Sequence, residues 1–392
     1  MADFLLAWAS ALLRWTHVMA GIAWIGSSFY FIAADLALRT RDGLPQGVKG
    51  ETWQVHGGGF YHIQKYLVAP ESLPSELTWF KWEAYSTWIF GFLLLASTYY
   101  AHPTLYLIDP TVAPLAPWQA VAASAGSLAV GWILYDLVCR SPLGRTMLVL
   151  TVSVAILLAV LAETYLHLFG GRAAFLHVGV LVGSLMVGNV FFLIIPNQKK
   201  VVASLLAGQE PDPRLGAQAK QRSLHNNYLT LPVLFLMLSN HYPMSFGTGH
   251  PRLALAGIFI VGFLVRHHFN MKHAGLAPYR WLWPAAALVM AGVVAVTRPA
   301  PVAPGAKAVS LAEVQTIVAA RCAPCHSATP TFEGVTEAPK GIRFDRPEDI
   351  VAHASEIREQ VVMLKSMPAA NLTGMTEQER ASIAAWLAGG AR

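Results

Sequence analysis

AAFLHVGVLVGSLMVGNVFFLIIP, residues 173–196, holds a single ionisable side chain, His177, in an otherwise apolar or small-residue run. As a helix rising 1.5 Å per residue, about 20 such residues cross the ~30 Å hydrocarbon core of a bilayer. The composition agrees with that reading. The chain is 392 residues long, 55% hydrophobic and 13% charged, whereas soluble domains carry about 25% charged residues. Its net charge of +6 does not point to nucleic acid, because the basic residues are scattered at the ends of apolar runs, as in membrane proteins. The expected surroundings are a lipid bilayer, with no nucleic-acid partner.

Comparable runs recur about eight times, at 6–36, 82–102, 117–138, 146–168, 173–196, 226–243, 252–270 and 279–297. The N-terminal MADFLLAWASALLRW lacks the basic stretch and cleavage site of a signal peptide, so it reads as the start of the first span. Basic residues set the orientation. Arg39, Arg41, Lys49, Lys65 and Lys81 fall in the first connection, Arg140 and Arg145 in the third. Lys199, Lys200, Arg214, Lys220 and Arg222 fall in the fifth, Lys272 and Arg280 in the seventh. The even-numbered connections hold almost none. Odd-numbered connections are therefore expected in the cytoplasm and both termini outside it.

The tail reads differently. RPAPVAPGAK (298–307) is a stiff, Pro-rich linker. Ser310 to Glu313 (SLAE) and Thr376 to Glu379 (TEQE) are capping boxes opening a first and a last helix, with a second helical pattern over 347–365. Between them stands RCAPCHS (321–327), the CxxCH spacing of covalent haem attachment. A zinc half-site would need a second ligand pair, which does not follow. Helix, CxxCH, loop and closing helix resemble a small class I cytochrome c, with one haem c on Cys322 and Cys325. His326 is the expected proximal iron ligand and Met367, of Met363, Met367 and Met375, the expected sixth ligand, because Met-Pro stands in the loop before the last helix. The expected fold is thus all-α: a polytopic membrane helix bundle of about eight transmembrane helices over 1–297, the linker 298–307, and a cytochrome c-like domain over 308–392. Bacterial c-type haem is attached on the outer face of the membrane, which agrees with the topology from charge.

Ionisable groups inside spans are costly and usually functional. His17, Gly21, Trp24 and Ser28 share one face of the first helix, suited to a cofactor or a partner helix. His177 lies above Ser184 and Gly188, beside a GxxxG at Gly179 and Gly183. His17, His177 and His167 fall in the outer half, and His17 with His177 are candidate ligands of a haem b. On the inner side, His56, His62 and Lys65 surround three glycines, and Lys81, Glu83 and Tyr85 enter the second helix. RSLHNNYLTLP supplies Arg222, His225, Asn226 and Asn227; VRHHFN supplies Arg266, His267, His268 and Asn270. Such cations and amides suit a planar, anionic, hydrogen-bonding small molecule. The ordinary alternative is a basic membrane rim.

RWTHVMAGIAWIGSSFYF, WFKWEAYSTW, HNNYLTLPVLFLMLSNHYP and the terminal CAPCH together resemble the bacterial membrane-bound urate oxidases (urate hydroxylases) with a fused C-terminal cytochrome c, over essentially the whole chain. The resemblance implies oxidation of urate to 5-hydroxyisourate in purine catabolism, in the bacterial inner membrane with the haem domain on the periplasmic side. It also implies that electrons pass to a soluble cytochrome c or a terminal oxidase. It supplies no catalytic residues. By residue type alone, His56, His62, Lys65 and Glu83 are the candidate bases; Arg222, His225, Asn226, Asn227, Arg266 and His267 are the candidate urate contacts. Two other functions fit the same pattern: a quinol or porphyrinogen dehydrogenase, and an electron conduit with no substrate of its own.

Overall fold

The computed structural model describes residues 2–67, 76–247, 249–277, 279–298 and 309–391. Helix α1 (Ala2–Ala37) leads into a hairpin of β1 (Val48–His56) and β2 (Gly59–Tyr66). Next come α2 (Trp82–Leu95) with a π-turn over Ala96–Tyr100, the short α3 (Pro103–Tyr106), α4 (Pro117–Arg140) and α5 (Met147–Leu168). Helix α6 (Gly171–Gly188) continues through a π-segment, Asn189–Ile194, into α7 (Ile195–Leu206). Helices α8 (Pro213–Leu238), α9 (Pro251–His273) and α10 (Leu282–Val296) follow.

Among the described residues, five helical stretches are long and apolar enough to cross a membrane: 4–37, 117–140, 147–168, 171–206 and 251–273. The other three expected spans are also helical. Of these, α2 and α10 are shorter, and α8 begins with a polar half containing Arg214, Lys220 and Arg222. The fifth span overruns its expected end at Pro196. Proline has no N–H to give the helix, and the π-segment directly before it is where the hydrogen-bond register shifts.

Helix α6 is the centre of the bundle, packed against α2, α4, α5 and α8 and buried over most of its length. Its GxxxG faces α8: a Cβ at Gly179 would stand 2.9 Å from Leu236 Cβ, so the glycine is what lets the backbones approach. Outer helices show the reverse pattern. Leu148 and Val160 of α5 are 76% and 58% exposed, the arrangement expected where the surroundings are lipid rather than water.

The expectation of an all-helical chain needs one correction, the antiparallel β1–β2 hairpin. Gly57 and Gly58 take φ +57° and +79° in its turn, with nothing within 4 Å of an added Cβ. They serve the turn and do not bring backbone against another group. The hairpin is tied to the bundle through Lys65 on Asp35 of α1 and through the Arg39–Glu51 bridge. Arg39 also donates to the His273 carbonyl at the end of α9.

Helices α11 (Leu311–Arg321), α12 (Pro347–Ala352), α13 (Ala354–Ile357) and α14 (Glu377–Ala388) enclose a second core of Val314, Val318, Ile350, Ile357, Val361, Met375, Ile383, Trp386 and Leu387. Both expected capping boxes form, Ser310 with Glu313 and Thr376 with Glu379. From residue 299 onward the Pro-rich linker lies outside the described residues.

Candidate functional site

The polar residues expected on the inner side do not form one group. They fall on two sides of α8, because successive residues on a helix are about 100° apart.

On the side facing α4 and α6, Arg222 is 1% exposed. It donates to Asp136 Oδ1 at 2.6 Å and to Asn189 Oδ1 at 3.1 Å. The second bond fixes the Asn189 amide, whose Nδ2 then donates to Tyr135 Oη at 3.0 Å and Asn226 Oδ1 at 2.9 Å. Tyr135 Oη also shares a hydrogen bond of 2.7 Å with His225 Nδ1. His225 Nε2 makes no hydrogen bond among the described residues. Asp136, Tyr135 and Asn189 escape a sequence reading, since their partners in α8 are up to 86 residues away.

Removing one member of a buried ion pair strands the other charge and costs about 3–5 kcal/mol, whereas replacing both by apolar groups is often neutral. Asp136→Leu is therefore expected to lower the thermal midpoint in detergent by on the order of 10 °C. The double variant Asp136→Leu/Arg222→Met is expected to recover most of it. Equal losses in both would mean that the pair contributes only side-chain packing.

On the side facing α9, Arg266 Nε donates to Asn227 Oδ1 at 2.9 Å, and Asn270 Nδ2 donates to the same oxygen at 2.8 Å. The Arg266 guanidinium lies 3.9 Å from the ring centroid of Phe29 on α1. Arg266, Asn227 and Asn270 are 5%, 0% and 6% exposed. Yet Arg266 Nη2, Asn227 Nδ2 and Asn270 Oδ1 make no hydrogen bond among the described residues. Two donors and one acceptor, buried side by side, form an incomplete set, and such groups are normally satisfied. In hydrogen-bonding type, two donors and one acceptor match the alternating carbonyl and N–H edge of a planar anion. His267 turns aside to Tyr228 Oη, 2.8 Å from its Nδ1.

The four candidate bases lie apart from these clusters. His62 Nε2 is 2.6 Å from Glu51 Oε2, and its ring stacks 4.1 Å from Trp53. Burial pushes the Glu51 carboxyl up, but bonds from His62, Trp53 and Gln64 and the nearby Arg41 charge outweigh it and hold the carboxyl below its usual range. Lys65 is paired with Asp35, His56 is exposed at the hairpin turn, and Glu83 sits in the first turn of α2. The hairpin nevertheless attaches at the same end of the bundle as Arg266. Its link at His273 is three residues, about 4.5 Å along α9, beyond Asn270.

At the opposite end lie the two candidate haem b ligands. His177 is fully buried, with Nδ1 donating to the Ala173 carbonyl and Nε2 accepting from Ser124 Oγ, both at 2.7 Å. With neither ring nitrogen free, His177 does not fit an iron ligand in this arrangement. His17 Nδ1 donates to the Thr87 carbonyl at 2.8 Å, and Gly21 on the same face stands against Thr87, so this face of α1 packs on a partner helix. His167 lies on the exposed side of α5 beside the Glu163–Arg252 ion pair. Near His177, Tyr99 Oη accepts from Asn240 Nδ2 at 3.0 Å, and Arg172 lies 5.5 Å over Tyr106. Arg172 Nε and Asn240 Oδ1 also make no hydrogen bond among the described residues.

The CxxCH segment suits a covalent haem. His326 Nδ1 donates to the Ile342 carbonyl at 2.9 Å, leaving the Nε2 lone pair for an axial bond. Cys322 and Cys325 are not disulfide-bonded. Burial and the neighbouring Cys325 push the Cys322 thiol up to about 12, unlike a redox dithiol, which needs an acidic thiol. Met367 packs on the same core as Cys322, and Arg380 holds its loop by donating to the Met367 and Val361 carbonyls. Met363 ends the helical segment Arg358–Met363 and is 41% exposed, whereas Met375 lies in the core, at 4%.

Residues 3–297 match the model of a family described as urate oxidase N-terminal. No curated protein matches the chain, and no solved structure does.

Proposed function

The chain belongs to the urate oxidase N-terminal family, and on that premise we propose that it is a membrane-bound oxidoreductase converting urate to 5-hydroxyisourate, with electrons leaving through its C-terminal domain. The observation that carries the reading is the incomplete set Arg266 Nη2, Asn227 Nδ2 and Asn270 Oδ1. Urate offers carbonyl oxygens to the two donors and a ring N–H to the acceptor, and its negative charge offsets the buried guanidinium. The hairpin that carries the His62–Glu51 pair, His56 and Lys65 attaches at this same end of the bundle. The base that takes a proton from urate or from the attacking water is proposed among these hairpin residues, which would have to close on the Arg266 cluster to act.

The reaction joins one water to urate and releases two electrons and two protons. Cys322 and Cys325 would hold one haem c by thioethers, with His326 and Met367 as the residues for its iron; bound there it would supply one-electron uptake, so each urate would need two transfers. A soluble cytochrome c or a terminal oxidase collects them. No step is assigned to a haem b. Urate added anaerobically to the purified protein with ferricytochrome c should reduce two acceptors per urate. Consumption of urate only with oxygen, and with peroxide as product, would end this reading. A dehydrogenase for quinol or porphyrinogen would leave urate untouched while reducing the same acceptor with its own substrate. A substrate-free conduit would respond to neither.

A second reading rests on distance. The C-terminal domain meets the far end of the bundle, beside the start of α9 at Pro251, about 22 Å along that helix from Arg266. Arg172 Nε and Asn240 Oδ1 are the unsatisfied pair near that end, and urate held there needs no relay. A pyridine haemochrome assay separates the two readings. One haem per chain favours the Arg172 site, because the Arg266 site needs an intermediate carrier. Topology is open to a direct test. An alkaline phosphatase fused after residue 300 is expected to be active in the periplasm and one near residue 210 to be silent, with both termini outside. The reverse pattern would overturn the orientation read from charge.

A further inference from the structure

The C-terminal domain does not only hang from its linker; one edge of it rests on the bundle. The turn Ala369–Asn371 lies against α3. Gly334 stands so that an added Cβ would be 4.0 Å from Leu105 Cδ1 of α3. At Gly247, past the end of α8, a Cβ would overlap the Leu364 carbonyl oxygen, so the two backbones meet with no side chain between them. Leu364 and Ala369 bracket Met367, the expected iron ligand.

Behind this contact the bundle is aromatic. Tyr106 of α3 is 5.7 Å from Tyr99, and Tyr99 is 6.0 Å from the buried His177. Phe246, next to Gly247, is 5.9 Å from Phe175 of α6. Both sides of the contact therefore lead by ring contacts into the buried core of the bundle.

We propose that α3 together with residues 243–247 is a docking port for the Met367 edge of the chain's own C-terminal domain, and that electrons leave the bundle there. The inference rests on the reading that this domain is the electron acceptor. A port suits a tethered domain. A short linker holds its partner at an effective concentration in the millimolar range, so even a small contact surface is occupied much of the time. The flow of electrons is one at a time, from the oxidised substrate to the one-electron acceptor of the C-terminal domain, with the released protons left at the substrate site.

Two variants at separate points of the port test this, Gly247→Val and Leu105→Lys. Hydrogen–deuterium exchange on the full-length protein is expected to rise together in 103–106 and 364–371 in both variants. The exchange of α11 and α14 should stay unchanged, which separates undocking from unfolding. In stopped flow, reduction of the haem by urate is expected to slow by at least about tenfold as transfer falls back on tethered encounters. Its spectrum and its reduction by added ascorbate should not change. Unaltered exchange in both variants, or raised exchange with an unchanged urate-driven rate, overturns the port. If urate fails to reduce wild-type protein, the urate reading is what has failed, and the exchange measurement still decides the docking.

Discussion

Alanine at Cys322 or Cys325 is expected to abolish urate-dependent reduction of an external acceptor while the bundle keeps its thermal transition. The two parts of the chain have separate cores, one centred on α6 and one on Val314, Ile350 and Trp386. Damage to the second therefore need not reach the first. Cys322 packs on that second core, so its replacement would remove both the proposed anchor of the haem and part of the packing around it. Haem staining after denaturing electrophoresis should vanish in the double variant. Met367→Ala is milder: the reduced spectrum should move from low-spin towards high-spin, with the haem still attached. Full urate-dependent respiration in a Cys322→Ala strain would take the C-terminal domain off the electron path.

Local rules carried the reading of the sequence furthest. The boxes at Ser310 and Thr376 depend on residues three apart, and each forms as expected. The long apolar runs became helices for the same reason, since in lipid a helix satisfies its own backbone. The hairpin lies outside the all-helical expectation, although WQVHGGGFYH carries its signal. Trp53 and Val55 alternate with polar residues into a glycine turn, where one residue with positive φ follows another. The polar groups illustrate a deeper limit. Arg222, His225, Asn226 and Asn227 are neighbours in sequence, but the helix turns them towards different partners. The functional grouping is set by Asp136, Asn189, Phe29 and Asn270, each on another element. The histidines invited a metal reading by type alone. Only the bonds of His177 to Ala173 and Ser124 reveal that its lone pair is taken.

Arg266→Met is expected to lower kcat/KM for urate by between about 30-fold and about 4,000-fold, the equivalent of about 2–5 kcal/mol for truncating one partner of a buried, hydrogen-bonded charge pair. The effect should exceed that of any single change on the hairpin, for a geometric reason. Arg266 is buried against Phe29 and already spends Nε on Asn227, so its orientation is set before substrate arrives. A preorganised donor loses little entropy on binding, and its removal also strands Asn227 Oδ1 with one bond in place of two. Arg266→Lys separates charge from geometry. Lysine keeps the positive charge but cannot hold Asn227 and a ligand carbonyl in one plane, so it should recover only a small part of the loss. Asn270→Ala removes the lone acceptor and is expected to raise KM more than it lowers kcat, since the contact is present in ground and transition states alike. Arg172→Met is the control at the other end of the bundle. Under the proposed site it leaves KM for urate near the wild-type value. A large rise in KM for Arg172→Met together with a wild-type KM for Arg266→Met would move urate to the end nearest the C-terminal domain. Arg266 and its two asparagines would then have to be assigned to holding α1, α8 and α9 together.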